Sequence, residues 1–154
     1  MNENIIIKAS IITIGDELLI GQTIDTNSAW MASSLNNIGI SIQRRVAVGD
    51  EWHAIWEALE EEESKSNIIL ITGGLGPTSD DITKPLLCKY FGGKLVTNED
   101  ALKNVIEIFT KKLNRPIIER NLKQAEVPDN CIVIQNHRGT APGMWFEKIG
   151  RAHV

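Results

Sequence analysis

At 154 residues, with 42% hydrophobic and 23% charged residues, the chain has the composition of a globular protein and the length of one ordinary domain with a real core. A formal net charge of −4 gives no basic footprint for nucleic acid, and no apolar run approaches a membrane span, so neither partner is expected. Cys88 and Cys131 stand apart without zinc spacing, and Met1-Asn2-Glu3-Asn4 is no basic leader, so a cytoplasmic protein with reduced thiols is expected.

Ile5 to Ile14 is a β-branched run, interrupted only by Lys8-Ala9-Ser10 and Thr13, and reads as a first buried strand. It ends in Gly15-Asp16-Glu17, which makes Asp16 and Glu17 either pocket residues at a sheet edge or members of a solvated turn. Asp25-Thr26-Asn27-Ser28 offers N-caps for a helix carrying Met31, Leu35 and Ile38, with Gly39 as its stop. Ile40, Ile42, Val46 and Val48 alternate as a second strand. Asp50 precedes the helical stripe Trp52, Ile55, Trp56 and Leu59, so it is read as a helix N-cap or as a residue at the ligand edge. Glu60 to Glu63 reads as a solvated face, and His53 as structural.

Ile68 to Thr72 is apolar and β-branched without alternation, the pattern of a strand covered on both faces. Gly73, Gly74 and Gly76 follow; lacking Cβ atoms, they let the backbone take positive φ and a ligand approach its N–H groups. Thr83 is expected to cap the next helix, whose first turn tolerates Pro85. Free N–H groups at a helix start attract phosphate, whereas Asp80 and Asp81 repel it unless a hard divalent cation bridges the two. The spacing matches neither the P-loop nor the G-x-G-x-x-G fingerprint.

Leu86, Leu87, Tyr90 and Phe91 line a helix that stops at Gly92-Gly93, and Leu95-Val96 is too short to assign. Leu102, Val105, Ile106, Phe109 and Leu113 make the strongest helical stripe, ending before Pro116. A short helix is expected over Asn121 to Ala125, a turn over Val127 to Asn130, and strands over Cys131 to Ile134 and Met144 to Phe146. Between those strands, the loop His137-Arg138-Gly139-Thr140-Ala141-Pro142-Gly143 holds a cationic pair suited to a second phosphate. Alternating strands and helices give an α/β fold.

Several runs resemble one family in order along nearly the whole chain: Ile14-Gly15-Asp16-Glu17-Leu18-Leu19-Ile20-Gly21-Gln22 with Asp25-Thr26-Asn27, then Val48-Gly49-Asp50, then Thr72-Gly73-Gly74-Leu75-Gly76-Pro77-Thr78-Ser79-Asp80-Asp81-Ile82-Thr83. Asn121-Leu122-Lys123-Gln124-Ala125 with Val127-Pro128, and Gly139-Thr140-Ala141-Pro142-Gly143, continue the match. They are similar to the N-terminal domain of the competence/damage-inducible CinA family, within the molybdopterin-binding (MogA/MoeA-like) fold family. The resemblance implies a three-layer α/β/α sandwich with a mostly parallel, mixed sheet. In the molybdenum-cofactor proteins a Gly-Gly loop and two acidic positions bind pterin phosphate and support adenylyl transfer, and those acidic positions fall here on Asp50 and Asp81.

For CinA-like domains the resemblance implies an ADP-ribose pyrophosphatase, yielding AMP and ribose 5-phosphate with a divalent metal (Mg²⁺ or Co²⁺) and potassium, and often an oligomer. Many members add a nicotinamide mononucleotide deamidase domain, which these 154 residues do not contain. The family's Leu-Pro-Gly-Val-Pro strand has no counterpart after Gly150, so a single domain truncated at its C-terminus is expected. In residue terms, N–H groups around Gly73, Gly74, Leu75 and Gly76 are expected to hold phosphate, with hydroxyls of Thr78, Thr83 and Thr140 beside Gly139 as donors. Asp80 and Asp81, with Asp50, are the expected metal positions, and Asp16 or Glu17 a further ligand or general base. Molybdopterin binding or adenylylation, and a non-catalytic nucleotide-binding module, are the alternatives.

Overall fold

The computed structural model describes residues 6–79 and 81–148. The chain divides into two compact units, Met1–Gly74 with Asp80–Thr83, and Leu75–Ser79 with Lys84–Val154.

The first unit is built on three parallel strands, β1 (Lys8–Ile14), β2 (Ser41–Val48) and β3 (Ile68–Thr72), in the order β2-β1-β3. Helices α1 (Asp16–Leu19), α2 (Thr26–Asn37) and α3 (Trp52–Glu63) follow the strands. The chain steps from β1 to one side and then crosses back to the other. Two crossovers of the same hand therefore put their helices on opposite faces. The side chains agree: Thr13 and Arg45 engage Asp25 and Ser28 at the start of α2, while Ser10 and Arg44, on the other face, engage Glu62 of α3. This unit is thus three layers, helix on sheet on helix, and it carries the expected α/β fold.

Two strand assignments shift. β1 begins at Lys8; Ile6 and Ile7 are exposed, and Ile5 lies outside the described residues. The strand covered on both faces is β1, buried from Ala9 to Ile14, whereas β3 is an edge strand with all five residues half-buried. Composition reports that a strand avoids charge, but not which strand is central.

The acidic run on α3 is also not uniformly solvated. Glu62 is fully buried, accepting a hydrogen bond from Ser10 Oγ and lying 3.0 Å from Arg44 Nη1. Its neighbours Glu60 and Glu61 face water, because consecutive helical residues point about 100° apart. The cap of α3 is Glu51, whose carboxylate accepts from His53 N and Ala54 N, and not Asp50. His53 sits on the surface, 3.3 Å from Glu57.

The second unit takes all but the first residue of α4 (Thr83–Phe91), then β4 (Leu95–Thr97), α5 (Glu99–Glu107), α6 (Glu119–Leu122), β5 (Glu126–Pro128), β6 (Ile132–Ile134) and β7 (Gly143–Trp145). β4 pairs with β5 and β6 with β7, both antiparallel, as separate two-stranded ladders. Val127 and Pro128 therefore lie in a strand and not in the expected turn, and Cys131 precedes β6. The expected stripe over 102–113 is one helix for its first half; Ile108–Lys112 then forms a π-helical turn. The wider turn rotates later residues off the stripe, leaving Leu113 49% exposed, while Ile106, still within α5, is 39% exposed. Ala101, Val105 and Ala125 form a small core with Leu102 and Phe109 against it. The buried Lys84 Nζ donates to the carbonyls of Gln124 at 2.8 Å and Glu126 at 3.1 Å. Cys88 and Cys131 are free thiols, and burial pushes both above the usual thiol range.

Candidate active site at the carboxyl ends of the parallel strands

In an open α/β sheet the ligand crevice lies beyond the strands' carboxyl ends, where successive connections leave in opposite directions. In the first unit those ends are Ile14, Val48 and Thr72. β1 and β2 are in register there, Ile14 opposite Val48, and Gly15 N continues the ladder to Val48 O at 3.0 Å. Two residues beyond Ile14 and Val48, Asp16 N donates to Asp50 Oδ2 and Asp50 N donates to Asp16 Oδ1, each at 3.1 Å. Each carboxylate thus accepts the other's main-chain proton. Asp16 Oδ2 and Asp50 Oδ1 accept no hydrogen bond among the described residues.

The residue between them explains the local sequence. A Cβ on the buried Gly49 would stand 2.5 Å from Asp16 Oδ1, so only glycine lets the Asp16 carboxylate reach Asp50 N. Glu17 is exposed, and its carboxylate folds back over Gly15, where a Cβ would meet it at 2.5 Å.

At the end of β3, Gly73 and Gly74 have φ of 103° and 60°. A Cβ on Gly73 would lie 2.0 Å from Ile14 O, and one on Gly74 2.3 Å from Thr83 Oγ1. The first demand on both glycines is therefore close approach to the protein itself. Gly74 N–H donates no hydrogen bond among the described residues. Thr83 is the first helical residue of α4 and not its cap. Its hydroxyl donates to Gly73 O at 3.0 Å, and its N–H to Gly74 O at 3.3 Å. Asp81 is half-buried in the same unit, and Asp80 lies outside the described residues. Among the described residues no group of three or more His, Cys, Asp or Glu gathers as for a metal ion.

Leu75, Gly76 and Thr78 belong to the second unit, as do Gly139 and Thr140. The Gly139 loop is held from within: Asn136 Oδ1 accepts from Arg138 N and Gly139 N at 3.1 Å each, and Asn104 Nδ2 donates to Asn136 O and Gly139 O. His137 and Arg138 are exposed.

A further network was not legible. Asp25 caps α2 through Ser28 N, accepts from Thr13 Oγ1 at 2.9 Å and from Ser28 Oγ, and Ser28 Oγ accepts from Arg45 Nε and Nη2. Burial works to raise the Asp25 carboxyl, but hydrogen bonds from Ser28 and Thr13 and the Arg45 charge outweigh it and hold it below the usual carboxylate range. The Asp25-Thr26-Asn27-Ser28 run signalled the cap. It did not signal Thr13 or Arg45, which only the folded sheet brings near.

Residues 10–154 match the family model described as "Probable molybdopterin binding domain". The chain belongs to that family. Within it, similarity runs to the CinA-like proteins: 48% identity over 141 residues with one from Flavobacterium psychrophilum, covering 92% of this chain and 34% of that protein. A second, from Cytophaga hutchinsonii, is 45% identical over 96% of this chain and 35% of its own length. The chain thus spans about a third of the length of these curated relatives. The crystal structure of CinA from Thermoplasma acidophilum, a protein given there as of unknown function, superposes with a TM-score of 0.77 at 36% identity, covering 90% of this chain and 80% of that one. The tungsten-cofactor-synthesizing protein MoaB from Pyrococcus furiosus shares the fold at a TM-score of 0.53 and 20% identity, over 69% of this chain and 64% of that one.

Proposed function

We propose that this family member is a metal-assisted nucleotide pyrophosphatase of the CinA-like type, which hydrolyses ADP-ribose to AMP and ribose 5-phosphate. The observation that carries the reading is the Asp16–Asp50 clasp, two carboxylates at adjoining strand ends, each with one oxygen unused. Magnesium-type cations keep several waters and are held by one or two carboxylates plus substrate phosphates, not by an all-protein cage. The Asp16–Asp50 pair suits such an ion. Asp16 and Asp50 would hold it, with Asp80 and Asp81 kept as expectations from the sequence, since Asp81 does not gather with that pair into a group of three among the described residues; Co²⁺ suits the same oxygen donors, and potassium is a further expected cation. When bound, the ion supplies polarisation of phosphoryl oxygens and a more acidic water.

The remaining work belongs to the chain. Gly74 N–H, free of internal partners, donates to a phosphate oxygen, and the Thr83 clasp keeps the Gly73–Gly74 turn in shape for it. Glu17 is exposed beside Asp16 and suits a general base.

The test is AMP release from ADP-ribose with Mg²⁺ or Co²⁺ and potassium. Asp50→Asn keeps an oxygen for Asp16 N while removing the charge, and is expected to lower turnover at least about 100-fold, as is Asp81→Asn. Full turnover in both variants overturns the assignment. The pterin alternative draws on the family's description; a fluorescent pterin retained through purification, with no AMP release, would favour it.

A further inference from the structure

β1 and β2 do not keep one register along their length. Ala9 faces Ile42 but Ser10 faces Arg44, so Gln43 is an extra residue on β2 and the ladder slips by one at that step. Everything beyond inherits the slip: Ile14 faces Val48, and the two chains bring Asp16 and Asp50 level with each other. Without the extra residue Ile14 would face Ala47 and Asp16 would face Gly49, and the reciprocal bonds of the clasp could not both form. Main-chain pairing is equivalent in either register, so side chains must choose between them.

Glu62 is placed to make that choice. It is fully buried on α3, with Oε1 3.0 Å from Arg44 Nη1 and Oε2 accepting from Ser10 Oγ. Ser10 and Arg44 are the facing pair immediately after the extra residue. One carboxylate thus grips both strands at the step where the register changes. In the unslipped ladder Gln43 would face Ser10, and the carboxylate would meet an amide where it now meets a guanidinium. A buried charge left without its partner is strongly unfavourable, and the best-attested use of a buried ionic group is to fix register.

The network on the opposite face does not discriminate in this way. Arg45 faces Ile11 and donates to Ser28 Oγ. In the unslipped ladder Arg44 would face Ile11, so an arginine would still be offered to Ser28. The choice of register therefore falls to Glu62.

We infer that Glu62 is a positioning residue, which through Ser10 and Arg44 fixes the alignment of β2 on β1 that brings Asp16 and Asp50 together, six residues further along each chain. The alignment does not depend on what the clasp binds; only its consequence for metal and turnover rests on the pyrophosphatase reading. Nuclear magnetic resonance of the full chain reads it without metal or substrate, through cross-strand contacts of Ile14 with Val48. In Glu62→Gln at least about a tenth of the molecules are expected in the slipped form, with a second set of signals for Gly15, Asp16, Gly49 and Asp50 and contacts of Ile14 with Ala47. The double variant Glu62→Leu with Arg44→Met fills the same space with apolar groups. It is expected to match the parent in urea unfolding and still to show both registers, which a pair that served stability alone would not do. Glu61→Gln removes the exposed partner of the same arginine and is expected to keep a single register. Mn²⁺ added alone should broaden Asp16 and Asp50 in the aligned set only; no broadening in the parent would count against the metal reading without touching the register. Should Glu62→Gln unfold, the double variant decides. A double variant that keeps the parent's single register, one that does not fold, or equal splitting in Glu61→Gln overturns the inference.

Discussion

Asp16 and Asp50 each take up the main-chain proton that the other leaves at its strand end, so two like charges sit side by side without either carboxylate being fully unpaired. That both acids stand at strand ends was legible from the sequence. Their mutual grip was not, because it depends on Ile14 facing Val48, a register that no local pattern encodes. Gly49 is the residue on which the grip depends: Gly49→Ala drives a methyl to within 2.5 Å of Asp16 Oδ1, and is expected to cost about 1–3 kcal/mol in urea unfolding together with most of the turnover. A variant as stable and active as the parent would show the clasp to be dispensable. Asp25 makes a second prediction at this scale. Its carboxyl is held below the ordinary value of 3.8 in the folded state, so the stability it contributes is full above that value and is lost as pH falls through the folded value. Stability measured against pH is therefore expected to fall below about pH 4, and less steeply in Asp25→Asn, where no proton is taken up; equal slopes would remove Asp25 from the acid response.

At the scale of elements, pattern identified strands and helices more faithfully than it ranked them. The runs that became β1 and β3 read alike because both avoid charge, and only the crossover order puts β1 in the middle with β3 at an edge. The four glutamates of α3 looked uniform in one dimension; the helix turns Glu62 inward to Ser10, leaves Glu60 and Glu61 exposed and half-buries Glu63. The turn after β3 was legible as glycine-dependent, but for an incomplete reason. Its glycines are required by Ile14 O and Thr83 Oγ1 before any ligand arrives. Gly74→Ala should therefore destabilise by about 1–3 kcal/mol, from a methyl at φ 60° and from its clash with the Thr83 hydroxyl. Thr83→Ala removes that hydroxyl and its bond to Gly73 O. Because each change spoils the same contact, the double variant is expected to lose less than the sum of the two, by about 0.5–2 kcal/mol. Additive losses in chemical denaturation would show that the two residues do not act on each other.

For the whole molecule, family membership and the α/β fold were both legible, because the residues that carry the resemblance are those at strand ends and turns, where backbone geometry dictates composition. The division into two units was not, since the chain passes between them within the short span from Gly74 to Lys84 without any linker composition. Among the described residues no helix is long and apolar enough to cross a membrane. The two units are expected to differ in how they resist opening. The first has a central strand buried from Ala9 to Ile14 and paired on both sides, whereas the ladders of the second are two-stranded and three residues long, with Leu95, Ile132, Ile134 and Trp145 exposed. Two-stranded ladders have little stability of their own and exchange through local opening, while a central strand exchanges only when its whole unit unfolds. Hydrogen exchange should therefore show amides of Ile11 and Ile12 outlasting those of Ile132–Ile134 by at least about 100-fold, a difference of a few kcal/mol in opening free energy. Adding AMP with Mg²⁺ should slow exchange further around Gly15–Asp16, Gly49–Asp50 and Gly73–Gly74. Protection that appeared only over Asn136–Ala141 would move the nucleotide to the loop organised by Asn104 and Asn136, and with it the chemistry assigned to the Asp16–Asp50 clasp.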